Sequence, residues 1–147
     1  MAAPSYSPTA TPADGADVLK NGMYYHSGRP ITEGWNGLRW TAGLEEMKAM
    51  FPGARPVKEE SNSYLIGQGE EKFFGFTLPA VYHFDERGRF IAVSFTCQDQ
   101  RQAQMLVTSL ISILGVPQDK RLMWQFGPAI VRPLHYSVVI RGVPPEF

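Results

Sequence analysis

The sequence predicts an α+β fold, an antiparallel sheet with two helices packed on one of its faces, in the order helix, strands, helix, strands. Three observations predict it. Between Asp99 and Gly115 apolar residues recur at helical spacing, and between Ala80 and Cys97 they alternate around an Arg87–Gly88 turn. The chain has 147 residues, 44% hydrophobic and 12% aromatic, which suits one domain burying roughly two thirds of its unfolded surface.

Taken in order, Met1 to Asp17 is rich in Ala, Ser, Thr and Pro, with Pro4, Pro8 and Pro12 and only Tyr6 as a large apolar group. It reads as a disordered leader over 1–17, followed by a single domain over 18–147. The leader has neither the basic start nor the apolar stretch of a signal peptide, but such compositions also follow cleavage or lipidation sites in exported proteins. Met23 to Pro30 reads as a short edge strand, and Gly34 to Trp40 as a glycine-punctuated approach to a helix. That helix takes Thr41 as N-cap, Glu45 and Glu46 at the positive end of its dipole, and Leu44, Met47 and Phe51 as its apolar stripe. Pro52–Gly53 stops it after about three turns.

After a polar connection through Lys58, Glu59 and Glu60, strands are predicted at Ser63–Ile66 and Phe73–Leu78, separated by a turn at Gly67–Gln68–Gly69. The hairpin over Ala80–Cys97 places Glu86 opposite Arg89, then pairs Phe84 with Ile91, Tyr82 with Val93 and Ala80 with Phe95 on an apolar face. Asp85, His83 and Ser94 fall on the other, wet face. In the second helix Asp99 caps with Gln102 three residues on. Ala103, Leu106, Val107, Leu110, Ile111 and Leu114 form the stripe, and Gly115 and Pro117 end it. Leu122–Phe126, Ala129–Arg132 and Tyr136–Arg141 close the sheet, broken at Gly127–Pro128 and Pro133.

Several function classes are argued against. Fourteen Lys and Arg balance fourteen Asp and Glu, so the cationic excess that phosphate backbones require is missing and nucleic acid is not an expected partner. No apolar run reaches the roughly 18 residues of a membrane span. The single cysteine, Cys97, excludes an intramolecular disulfide and a thiolate zinc cluster. His26, His83 and His135 lie in separate segments without ligand spacing, so they read as solvated or core-edge histidines and no metal is expected. The hairpin register keeps His83 and Cys97 on opposite faces, and Gly67–Gln68–Gly69 lacks the strand-to-helix context of a phosphate loop. The neighbouring pairs Glu45–Glu46, Glu59–Glu60 and Glu70–Glu71 read as solvated surface carboxylates rather than acid/base machinery. No catalytic residue and no cofactor is assigned, and the chain is not expected to be an enzyme.

What remains for function is an aromatic and arginine set: Tyr24, Tyr25, Arg29, Trp35, Arg39 and Trp40. These types anchor protein interfaces because they bury much area with few rotors and keep a polar handle. In so small a domain, tryptophans beside a helix start are more often lids on the core than exposed anchors. The stretch Trp35-Asn36-Gly37-Leu38-Arg39-Trp40-Thr41-Ala42-Gly43-Leu44-Glu45-Glu46-Met47-Lys48-Ala49-Met50-Phe51-Pro52, an aromatic lead-in, a small-residue turn and a Glu-rich helix ending at Phe-Pro, resembles small bacterial envelope modules. Their α+β fold is that of the outer-membrane assembly lipoproteins and of the β-lactamase inhibitor protein. Thr41-Ala42-Gly43 departs from the Gly-Met-Ser/Thr turn usual there, and no functional residue of those families carries over.

The resemblance implies binding rather than catalysis. The expected function is a non-enzymatic protein-binding module of a bacterial envelope or secretion system, with an inhibitor or immunity protein against a toxin or enzyme as one form. Its expected location is periplasmic or envelope-associated, with the cytoplasm as the other choice. The alternative is a small-ligand carrier or hydrolase with a pocket between the second helix and the sheet.

Overall fold

The computed structural model describes residues 16–60, 63–117 and 123–142. The leader expected over 1–17 therefore lies outside the described residues as far as Gly15, and Asp17 already belongs to the fold as the first residue of a strand. Strands β1 (Asp17–Lys20), β2 (Met23–His26) and β3 (Arg29–Pro30) form a small antiparallel sheet in that order. The expected single strand over Met23–Pro30 is thus two strands. Asn21–Gly22 and Ser27–Gly28 make the turns, with φ of 53° and 77°, then 52° and 80°. Two consecutive positive φ angles are the type I′ signature that matches strand twist. Asn36–Gly37, at 54° and 89°, repeats the device between β4 (Gly34–Trp35) and β5 (Leu38–Arg39).

Helix α1 covers Leu44–Met50, seven residues rather than three turns. Its N-cap is Gly43, whose N–H reaches Glu46 Oε1 at 3.5 Å. Thr41 is not the cap, because residues 41–43 run alongside the chain at 89–90: Thr41 N–H donates to Phe90 O at 2.8 Å, and Phe90 N–H to Ala42 O at 2.8 Å. Of the expected stripe, Met47 is buried, while Leu44 and Phe51 pack partly buried against the core.

The main sheet follows. β6 (Arg55–Glu60), β7 (Ser63–Phe73), β8 (Phe76–Asp85) and β9 (Phe90–Thr96) precede helix α2 (Gln100–Leu114), and β10 (Trp124–Phe126), β11 (Ala129–Pro133) and β12 (Ser137–Arg141) come after it. All seven pair antiparallel in the order β10-β11-β12-β9-β8-β7-β6. The order helix, strands, helix, strands begins only at α1, after five short strands of which the sequence reading gave only the single edge strand over Met23–Pro30. Two further expectations are overturned here. Lys58–Glu60 is part of edge strand β6, not a connection. Gly67–Gln68–Gly69 is a bulge within one eleven-residue strand, where Gly69 takes φ 98°, and the chain turns instead at Phe74–Gly75, φ 49° and 85°.

In an antiparallel sheet directly paired residues share a face. The register aligns Trp124, Val131, Ile140, Val93 and Tyr82 in one row, each at most 6% exposed. The next row, Ile130, Arg141, Ala92 and His83, points the other way; Ala92 is buried yet outside the core cluster. Ala80–Phe95 and Tyr82–Val93 pair as expected, but Phe84 meets Phe90 rather than Ile91. The bulge at Ile91 turns Phe90 to the core side with Val93 and Phe95, where all three are fully buried. That burial is worth roughly 2 kcal/mol for the extra phenyl ring.

Helix α2 follows its predicted limits. Asp99 Oδ1 accepts from Gln102 N–H at 2.8 Å, Gln102 Oε1 accepts from Gln98 N–H at 2.6 Å, and Gly115 ends the helix at φ 87°. Leu106, Leu110 and Leu114 enter the core, and Trp124 Nε1–H donates to Gly115 O at 2.8 Å, fixing the helix end against β10.

Candidate functional site

The six candidate residues all lie in the β2–β5 region, and packing divides them. Tyr24, Trp35 and Trp40 are core residues, at 0%, 1% and 8% exposure, so they are lids and not exposed anchors. The reason is the strand alternation of this segment, which sends Tyr24 inward and Tyr25 outward, and the type I′ turn that folds Trp35 and Leu38 back onto the sheet. Trp35 stacks on His26 with centroids 3.9 Å apart and meets Phe73 and Phe95 edge-on. Trp40 stacks on Phe90, and its Nε1–H donates to Ile31 O at 2.9 Å. Tyr25, half-buried, pairs with exposed Val18 on one side and Pro30 on the other, while Arg29 and Arg39 are exposed.

Two carboxylates to which the sequence reading gave no structural role hold this region down. Asp17, placed in the leader, has a side chain only 1% exposed. Its Oδ1 accepts from Tyr24 Oη–H at 2.5 Å and His26 Nδ1–H at 2.7 Å, and its Oδ2 from Phe74 N–H at 2.6 Å. Burial, then the adjacent Asp17 charge and hydrogen bond, hold the Tyr24 phenol well above its usual range. Glu71, expected to be a solvated surface carboxylate, instead accepts from Trp35 Nε1–H (2.9 Å), Tyr82 Oη–H (2.7 Å), Gln68 Nε2–H (3.0 Å) and Asn36 Nδ2–H (3.3 Å). Burial first and Glu71 second push the Tyr82 phenol far up. Asp17 thus ties β1 and β2 to the β7–β8 turn, and Glu71 ties the β4–β5 hairpin to β7 and β8. The available signals were the Asn-Gly and Ser-Gly dipeptides, which mark hairpins beginning as early as Asp17. Glu71's inward position also follows from alternation with Phe73, once β7 is read as continuous.

Between the two hairpins lies a small open cleft of about 30 Å³, walled by Arg29, Pro30, Glu33 and Arg39 over Gly34, Gly37 and Leu38. Among the described residues neither guanidinium has a hydrogen-bond or ion-pair partner. Gly34 admits no side chain, since a Cβ would stand 2.1 Å from Leu38 O. The cleft is smaller than pockets that enclose a drug-sized ligand. Leu106, Leu110 and Leu114 of α2 are core residues, at 6% exposure or less.

Elsewhere the chemistry is sparse. His83 Nε2 lies 2.8 Å from Ser94 Oγ on the open face of the sheet, a base beside a hydroxyl. The β8 and β9 backbones around them pair within the ladder, which leaves few N–H groups there to hold an oxyanion. Cys97 is buried, and burial, then the charge of Asp99, push its thiol up, the setting of an inert cysteine. Among the described residues no group of three or more His, Cys, Asp or Glu converges as metal ligands, and no helix is long and apolar enough to cross a membrane. Comparison with protein-family models, with curated proteins and with solved structures finds no match for this chain.

Proposed function

We propose that this chain is a non-enzymatic protein-binding module of a bacterial envelope or secretion system, with an inhibitor or immunity protein as one form, and that it holds its partner with the outer surface of β2–β5. The observation that carries the reading is the pair of exposed guanidiniums, Arg29 and Arg39, set on two tight hairpins whose inner sides are fastened by Trp35, Trp40 and two carboxylates. A surface held in one shape loses little entropy on association, and arginine with tyrosine is a composition of interface centres. Tyr25, Val18 and Pro30 continue the surface as an apolar strip beside the cleft. The reading has both helices on the apolar side of the main sheet, so that the hairpins and the wet face remain for recognition. The envelope or periplasmic location rests on the likeness of Trp35–Pro52 to envelope modules.

The test is capture of a partner from the native organism with the tagged chain, followed by variants. Tyr25→Ala with Arg29→Ala is expected to lower affinity at least tenfold while the melting temperature stays within a few degrees, because both side chains are at the surface. Recovery of no specific partner, or unchanged affinity in the double variant, counts against the reading.

A further inference from the structure

We propose that the free edge of β7 over Gly69–Phe73 pairs with the same segment of a second copy of this chain, antiparallel about a two-fold axis at Glu71. β6 follows β7 only as far as the Arg55–Gly67 pair, so the end of the eleven-residue strand has β8 on one side and no strand on the other. Which backbone groups face that open side follows from the hairpin. Phe74–Gly75 is a two-residue turn of type I′, with φ 49° and 85°, and such a turn is closed by a hydrogen-bonded pair, here Phe73 with Phe76. Hydrogen-bonded and non-hydrogen-bonded pairs alternate along an antiparallel ladder. Phe73 and Glu71 therefore spend their N–H and C=O on β8, while Lys72 and Glu70 turn theirs outward. Among the described residues no group is hydrogen-bonded to those outward N–H and C=O groups. The two outermost strands of the main sheet are blunted instead: β10 has three residues, and β6 carries Pro56 with a bulge between it and Lys58.

A second copy satisfies all of these groups at once. With the axis at Glu71, Glu70 stands opposite Lys72 of the second copy, and the two residues exchange both their N–H···O=C bonds. The side chains agree with the backbone. Glu70 and Lys72 are exposed on the face away from the core, in register with the exposed Pro79 and Thr77, so each pair sets a carboxylate beside an ammonium. A slip of two residues either way loses this match. One slip places Glu70 against Glu70 and Lys72 against Gln68 in the bulge; the other places Lys72 against Lys72 and Glu70 against Phe74, whose N–H already donates to Asp17 Oδ2 at 2.6 Å. Glu71 meets its counterpart on the axis, on the core-facing side. Gln68 and Tyr82 draw its carboxylate back toward the β6 end of its own strand, which is the opposite direction in the second copy, so the two acids point apart. So short a strand pair buries less than the roughly 1,000 Å² of a stable interface, and the dimer is accordingly weak.

The experiment is sedimentation velocity on the full chain at low salt, from about 10 μM to about 1 mM, the range in which so small an interface associates. The sedimentation coefficient is expected to rise with concentration toward that of a dimer. Lys72→Glu and Glu70→Lys each set like charges across the axis. Each is expected to weaken association about tenfold or more while the melting temperature stays within a few degrees, since both side chains are exposed. The two variants move the net charge in opposite directions from zero, so a loss shared by both comes from the pair and not from overall charge. The double variant, Glu70→Lys with Lys72→Glu, restores opposite charges across the axis and is expected to dimerise as the native chain does. In a mixture of labelled and unlabelled native chain, an intermolecular Hα–Hα Overhauser contact between the two Glu71 residues is expected, because a non-hydrogen-bonded antiparallel pair brings its α-carbons closest. A native chain that is monomeric at every concentration, association untouched by either single variant, a double variant that stays monomeric, or a dimer without the Glu71 contact overturns the proposal.

Discussion

Gly142 shows how closely single residues are matched in this core. A Cβ at that position would lie 1.8 Å from Cε2 of Trp40, whose ring is already fixed by Phe90 on one side and by its hydrogen bond to Ile31 O. Gly142→Ala is expected to lower stability by about 1–3 kcal/mol or more, because the indole has nowhere to move without leaving its partners. Gly43→Ala, where a Cβ meets nothing within 4 Å, is the control and is expected to change urea-unfolding stability by less than about 1 kcal/mol. Two carboxylates, Asp17 buried and Glu71 half-buried, follow the same rule of completed contacts. Asp17 and Glu71 both sit among aromatic side chains, and each is tolerated because its oxygens are filled by donors. Neither was legible in the sequence. A carboxylate's chain position does not announce whether distant donors, such as Trp35 for Glu71 or the Phe74 N–H for Asp17, will converge on it.

At the scale of elements, the β8–β9 hairpin is the clearest test of what alternation conveys. Its inner pairs followed from counting outward, but the turn is wider than two residues: Asp85 N–H donates to Arg89 O, and Gly88 N–H to Asp85 O, with Gly88 at φ 76°. Asp85 then accepts from the Arg87 and Arg89 N–H groups and from the Arg89 guanidinium, at 2.8 to 2.9 Å. Burial alone would raise this carboxyl; the hydrogen bonds of Arg89 and Arg87, with the Arg89 charge, outweigh it and hold the group below the usual aspartate range. A lowered folded value means that the stabilisation is present above about pH 4 and disappears as pH falls through the folded value. Amide exchange at Gly88 and Arg89 is therefore expected to accelerate between pH 4 and pH 2 after correction for intrinsic rates, and Asp85→Asn is expected to flatten that dependence. Helix α2 was readable to within a residue because its cap, stripe and terminator are all local. Helix α1 was misread at its start because residues 41–43 are claimed by the distant β9, a contact that no local pattern encodes.

For the whole molecule, the surface proposed for recognition lies on the outer side of hairpins whose inner side is packed into the core. Leu110, on the core-facing side of α2, is fully buried, and Leu110→Ala is expected to cost about 2–5 kcal/mol by urea unfolding, whereas Tyr25→Ala should cost far less and show its effect in binding of the proposed partner. A Tyr25→Ala variant as unstable as Leu110→Ala would mean that the outer face of β2 is also structural. The sequence could not divide the candidate residues into buried and exposed, because one aromatic-rich pattern serves a core lid and an interface anchor alike. By itself the sequence determined the α+β class, helix α2 with both its ends, most of the central hairpin register and the balanced charge, since each depends on local periodicity, caps or simple counting. Only the tertiary structure decided that Tyr24, Trp35 and Trp40 are buried, that Asp17 and Glu71 fasten the N-terminal hairpins, and that Arg29 and Arg39 share one cleft. Those facts are contacts between segments far apart in the chain, and burial is a property of the assembled sheet rather than of any residue's neighbours in sequence.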